Sequence, residues 1–251
     1  MKTLFTILLV AFLPLFGNAQ RHAAGNKQRA ALNRAQIREA ERQLADLGYW
    51  TGPVDGVFDS ATRSALIAFQ KWERRPANGR LTSDELEAIH DSKTPEARET
   101  GYGHVEVDLD RQVLLLIDDA GGVRVLPVSS GSGKPFRNQG KMGIAYTPRG
   151  RFLVYQKGAG WQKGPLGSMY YPSYISGGIA IHGSGSVPNQ PASHGCVRIP
   201  VFAAQEVSKQ LTIGTIVLLY DERSFVSAKE WALNPKLKQA VLQRSSSPDL
   251  Q

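Results

Sequence analysis

Cysteine is all but missing from this chain: Cys196 is the only one in 251 residues. An intramolecular disulfide is therefore excluded, and zinc is denied a second thiolate. Carboxylates are missing locally, since no aspartate or glutamate falls between Gly158 and Gln205. A metal held by the two histidines and the cysteine of that stretch would have no acidic ligand beside it. Long apolar runs are missing too. Leu4 to Phe16 is about a dozen residues broken by Pro14, short of a comfortable membrane span. Nor is there a basic helix or a basic stripe interleaved with aromatics, so the formal charge of +8 does not indicate nucleic acid. Lys and Arg are scattered, densest near residues 21–42 and 134–163, and suit an anionic polymer equally well. At 41% apolar and 21% charged residues, the composition is that of an ordinary globular protein of one large or two modest domains.

Against these absences stands the placement of the single thiol. Gly178-Ile179-Ala180-Ile181-His182-Gly183 is a short apolar run that predicts a buried strand, with Gly183 expected to let the chain turn away. A loop rich in glycine, proline and polar residues follows, and then Ser193-His194-Gly195-Cys196-Val197-Arg198. A loop that starts at a histidine and ends at a cysteine can fold both side chains onto one spot, which a thiol nucleophile and its base require. A free thiol is only a few per cent thiolate at neutral pH. A neighbouring imidazole can take its proton, leaving thiolate beside imidazolium. Backbone N–H groups at the Gly195 turn would receive the negative charge of an attacked carbonyl. Arg198, two residues beyond Cys196, shares its face on an extended segment and could hold a substrate carboxylate. The competing readings are a lone cysteine acting as a small buried hydrophobe and histidines acting structurally. The coincidence of thiol, imidazole and glycine turn favours chemistry, and no metal is expected.

Met1-Lys2-Thr3, the apolar run and the small residues Gly17 and Ala19 have the shape of a secretory signal over 1–19, with cleavage before Gln20; an uncleaved anchor is the alternative. Residues 20–35 are polar and aperiodic, a flexible lead-in. Ile37, Ala40, Leu44 and Leu47 then fall at helical spacing, with Gly48 to end the helix. Asp59 caps a second helix carrying Ala65, Leu66, Phe69 and Trp72 on one face. Thr82-Ser83-Asp84-Glu85 is a capping box for a third, with Leu81 and Leu86 as its staple. Residues 91–101 hold Pro95, charges and no periodicity, a linker.

Beyond the linker the period becomes two. His104 to Asp108 alternates, with His104 expected at the surface, and Gln112 to Ile117 and Val123 to Val128 follow as strands between turns. Ser129-Ser130-Gly131-Ser132-Gly133-Lys134 has the composition of a phosphate loop but the wrong spacing, and Pro135 blocks the helix that should follow. Trp161 to Tyr174 is predicted as a long loop bearing Trp161, Tyr170, Tyr171 and Tyr174. Val201 to Leu211 gives a short helix, Gly214 to Tyr220 a closing strand, and 222–251 a C-terminal extension. The fold class is α+β in two domains: a small three-helix module over 36–90, then a mainly β, sandwich-like domain over 102–221.

The pattern H-G … S-H-G-C-V-R resembles the L,D-transpeptidase (YkuD-type) catalytic domain, and Thr147-Pro148-Arg149-Gly150-Arg151-Phe152 resembles its T-P-x-G-x-F segment. Arg198 stands where some members carry asparagine. Leu47-Gly48-Tyr49, Gly52-Pro53-Val54-Asp55-Gly56 and Ala68-Phe69-Gln70 are similar to the peptidoglycan-binding domain of many cell-wall enzymes. The resemblance implies Cys196 as nucleophile and His182 as general acid/base, with Ser193, His194, Gly195 and Gly183 around the donor turn. It also implies peptidoglycan as partner, no cofactor, and an exported protein of the periplasm or cell-wall compartment, without a stable membrane span once the signal is removed. Arg198, Tyr170 and Tyr171 are the candidate contacts to a peptide stem, the tyrosines equally readable as core packing. Two other outcomes stay open: hydrolysis of the same stems by a carboxypeptidase or amidase, and a non-catalytic wall-binding protein.

Overall fold

The structure is a computed structural model and describes residues 32–224. The expected signal, residues 20–31 of the lead-in and residues 225–251 of the C-terminal extension lie outside the described residues.

Three helices come first. Helix α1 (Arg34–Asp46) starts three residues before the first periodic apolar residue, Ile37, because Asn33 and Gln36 cap each other reciprocally. Leu47 is its C-cap. Gly48 follows at φ 90°, where a Cβ would lie 2.4 Å from the Val123 carbonyl oxygen. Helix α2 (Ser60–Trp72) is capped by Asp59, whose carboxylate accepts the Ala61 and Thr62 N–H groups. Helix α3 (Ser83–Asp91) is capped by Thr82, which accepts the Glu85 N–H.

The β part is a sandwich. One sheet runs in the order β3 (Val123–Pro127), β2 (Val113–Ile117), β1 (His104–Asp108), β12 (Ile216–Tyr220), β6 (Gly150–Leu153), with β1 and β12 parallel. The other runs β11 (Val197–Pro200), β10 (Ile179–Ser184), β9 (Gly167–Ser176), β7 (Gln156–Lys157), with β10 and β11 parallel. Strand β8 (Trp161–Gly164) pairs with β9, and β4 (Pro135–Asn138) with β5 (Lys141–Ile144) forms a separate hairpin. Alternation decides the faces. Val105, Val107, Leu114, Leu116 and Leu219 meet Ile175, Ile181, Val197 and Ile199 in the main core, which helix α4 (Val201–Gln210) closes with Ala203, Ala204 and Val207.

The opposite face of the first sheet is covered as well. Val113, Leu115, Ile117 and Val125 share one core with Leu44, Tyr49, Leu66, Phe69 and Ile89 of the helical module. Trp50 N–H and Val125 N–H exchange bonds with Val125 and Gly48 carbonyls, so the chain after α1 extends the β3 edge. Past Asp91, which closes α3, the segment expected as a linker has no regular structure, yet Pro95 and Glu99 are buried, and Glu99 pairs with Arg151. It is a strap across the sheet.

Two expectations fail here. His104 is buried, 1% exposed, not on the surface. It sits on the strap side of β1, with Nδ1 2.9 Å from the Tyr102 carbonyl and Nε2 3.1 Å from Glu106 Oε1. Burial pushes the Glu106 carboxyl up, but His104, the Arg98 and Glu99 N–H groups and the Tyr220 hydroxyl together hold it below its ordinary value. The long loop of residues 161–174 is instead the β8–β9 hairpin; Gly167, at φ 130°, takes a conformation other residues avoid, and the tyrosines suit the strand.

Candidate active site

Strands β10 and β11 place the two groups of interest. His182 is the register partner of Arg198, and Ile181 of Val197. Since Ile181, Val197 and Ile199 point into the main core, His182 and Arg198 point away from it. Cys196 immediately precedes β11, in step with Arg198, and the Ala180 N–H donates to its Sγ at 3.4 Å. The thiol in turn faces the Gly178 carbonyl oxygen at 3.6 Å, a long contact. His182 is 5% exposed, and its Nδ1 lies 2.9 Å from the Gly183 carbonyl oxygen. A carbonyl only accepts, so Nδ1 carries the proton and Nε2 is left with its lone pair. Among the described residues, then, thiol and imidazole occupy one face of the sheet with separate hydrogen-bond partners.

The turn before Cys196 is held tightly. Ser193, 2% exposed, donates its hydroxyl to the Cys196 carbonyl at 2.5 Å and accepts the Gly195 N–H at 3.0 Å. Gly195 adopts φ 141°, and a Cβ there would lie 2.6 Å from Ile179 Cδ1 and 2.9 Å from the Tyr146 carbonyl oxygen. Its carbonyl accepts the Thr147 hydroxyl at 2.7 Å. His194 is exposed and meets the Phe136 ring edge-on at 4.9 Å. Gly183 does not turn the chain, because β10 continues through it to Ser184. Its missing side chain instead admits Ala204, whose Cβ would be 2.6 Å from an added one.

A model of the L,D-transpeptidase catalytic domain (YkuD) matches residues 102–219, and one of a peptidoglycan binding domain matches residues 33–89. Among solved structures, the L,D-transpeptidase of Xylanimonas cellulosilytica is 39% identical at a TM-score of 0.70, over 74% of this chain and 93% of that one. The chain belongs to the L,D-transpeptidase family. The catalytic domain of the Enterococcus faecium L,D-transpeptidase is 26% identical over 49% of this chain and 99% of that one, at a TM-score of 0.38. That of Stackebrandtia nassauensis is 22% identical over 73% and 90%, at 0.42. These two are loose likenesses and nothing rests on them. No curated protein sequence matches the chain.

Peptidoglycan is the partner that both matched domains of this L,D-transpeptidase support. Among the described residues, no helix is long and apolar enough to cross a membrane.

Burial and the Arg198 charge set the electrostatics around Cys196 and His182. Burial pushes the Cys196 thiol up, against the Ala180 N–H and the Arg198 charge, which pull it down. Burial pushes His182 down and Arg198 adds to this, while the Gly183 carbonyl opposes it. Both groups are therefore biased towards neutrality, and Arg198 acts on both.

Of the two tyrosines read as stem contacts, Tyr170 pairs with Gly183 and packs against the main core, its ring 4.9 Å from Trp161. Tyr171 is half-buried at φ 47°, edge-on to Tyr170. Tyr174 instead pairs with Ala180, and burial first and then the Cys196 charge raise its phenol. Ser129 to Ser132, which the sequence showed only as a dismissed phosphate-loop composition, also belongs to the site. Ser129 and Gly131 bridge to Arg198 and Ser193, clamping both ends of the cysteine turn.

Proposed function

We propose that this L,D-transpeptidase is exported and uses Cys196 as nucleophile and His182 as general base in joining peptidoglycan stems. One observation carries the reading: a half-buried thiol, a buried histidine with a free Nε2 and an arginine share one face of β10 and β11. Export is supported by the signal-shaped first nineteen residues and by a polymer partner that lies outside the membrane.

The Cys196 side chain rotates from the Gly178 carbonyl towards Nε2, which takes the thiol proton as Sγ attacks the carbonyl carbon at a diaminoacyl–D-amino-acid bond. The Gly195 N–H is already engaged by Ser193. The Cys196 N–H is therefore the donor assigned to the oxyanion. The C–N bond breaks as the imidazolium returns its proton to the leaving amine, and the D-amino acid departs. An amine of a second stem then attacks the thioester, passing a proton through His182 to the departing sulfur. Arg198 is positioned to hold a substrate carboxylate near this chemistry.

Incubating the full chain with tetrapeptide muropeptides and separating the products tests the outcome. Cross-linked dimers are expected. Shortened monomers alone would mean that water resolves the thioester, and no product together with no Cys196 adduct from an acylating β-lactam would leave only a wall-binding role.

A further inference from the structure

Gln112 is a buried residue in an unusual backbone state. It lies between the β1–β2 turn and β2 at φ 56°, in the left-handed region that favours glycine, and is 4% exposed. Such a conformation persists where the surroundings over-determine it. Here the side-chain amide does so: Nε2 donates to the Leu109 carbonyl and to Ser130 Oγ, both at 2.7 Å, and Oε1 accepts the Ser130 N–H at 2.9 Å.

Ser130 is the next link. Its carbonyl oxygen accepts the N–H groups of both Ala192 and Ser193, each at 2.9 Å. Ser193 then bonds the Cys196 carbonyl and the Gly195 N–H. Two residues, Ser130 and Ser193, thus connect the Gln112 amide to the backbone that carries the thiol.

On its other side Gln112 meets the helical module. Lys71 of α2 is 6% exposed and reaches through the shared core to donate to the Gln112 carbonyl at 3.3 Å and the Val128 carbonyl at 2.8 Å. Burial pushes its amine down to about 7. A lysine so placed is costly to bury, and the two carbonyls are the partners that hold it. A second contact runs in parallel: the Asn189 amide, in the loop between His182 and Cys196, donates to the Ala77 carbonyl of the module.

We propose that Gln112 and Lys71 are positioning residues for the Cys196 turn. Gln112 fixes Ser130 where the Ala192 and Ser193 amides dock, and Lys71 ties that node to helix α2. The peptidoglycan-binding module is thereby part of the scaffold of the catalytic turn as well as a wall anchor. This rests on the reading of Cys196 as nucleophile.

The test uses the full chain with Gln112→Leu and, separately, Lys71→Met. Near-UV circular dichroism reports the fold, muropeptide turnover gives kcat and KM, and amide hydrogen exchange is followed at Ala192 and Ser193. Both variants are expected to fold, keep KM, lose kcat by about tenfold to a hundredfold, and exchange those two amides faster. Should Gln112→Leu fail to fold, Lys71→Met decides alone. A folded variant with parental kcat and parental exchange overturns the proposal. If the parent turns over stems but a Cys196→Ser chain does so equally well, the nucleophile reading fails instead, and the exchange at Ala192 and Ser193 still decides whether Gln112 and Lys71 hold the turn.

Discussion

Thr147 and Gly195, forty-eight residues apart, are joined by a 2.7 Å bond from the threonine hydroxyl to the glycine carbonyl. The same hydroxyl accepts the Gly131 N–H at 2.7 Å. One side chain therefore pins the cysteine turn to the segment after β3. Thr147→Val keeps the shape and leaves both backbone groups without that partner. A loss of about 2–4 kcal/mol in unfolding free energy is expected from urea denaturation, with slower Cys196 acylation. Unchanged stability would mean that the two groups find other partners.

The sequence revealed the local rules and hid the long-range ones. Asp59 and Thr82 announced their helices because a cap needs only a few neighbouring residues. Val105 and Val107 announced β1 through alternation, and the thiol–histidine spacing announced the site. His104 looked exposed because nothing local shows that the 95–102 strap covers its face; Glu106, its partner two residues on, gains meaning only once both are buried. Ser129 and Gly131 were unreadable for a related reason, since they bond to residues more than sixty positions away. Shared packing of Phe69 with Leu115 and Val125 was hidden too, because an apolar helix face does not name the surface it meets.

Close approach at β10 yields a prediction with its own control. Gly183→Ala would put a Cβ 2.6 Å from that of Ala204 and 3.1 Å from that of Tyr170, neither of which is a flexible tip. Overpacking of about 1–3 kcal/mol is expected, with a shift of His182. Gly185→Ala, two residues on, meets nothing within 4 Å, and a change within about 0.5 kcal/mol is expected. Thermal unfolding of the pair checks this, and equal effects would contradict the packing argument.

Arg198 acts on both candidate catalytic groups in the same direction. Its charge lowers the Cys196 thiol and the His182 imidazole, so Arg198→Ala is expected to raise both. The pH dependence of iodoacetamide alkylation reads the first, and the His182 ring resonances in NMR read the second. In the parent, the alkylation midpoint is expected above the ordinary thiol range. Stability follows with defined signs. The unfolded chain binds more protons at His182, so this burial weakens the fold as pH falls through the ordinary imidazole range. At Cys196 the folded chain keeps its proton longer, so stability falls as pH rises past the ordinary thiol value. Midpoints that ignore Arg198 would place its charge elsewhere.

The most direct measurement is the rate at which Cys196 is acylated by a β-lactam, followed by intact-protein mass spectrometry in the parent and in His182→Gln. A single adduct on Cys196 is predicted in the parent, formed about a hundredfold or more faster than in the variant, with both chains equally folded. Equal rates in the two, or an adduct on another residue, would contradict the pairing of this thiol with this imidazole.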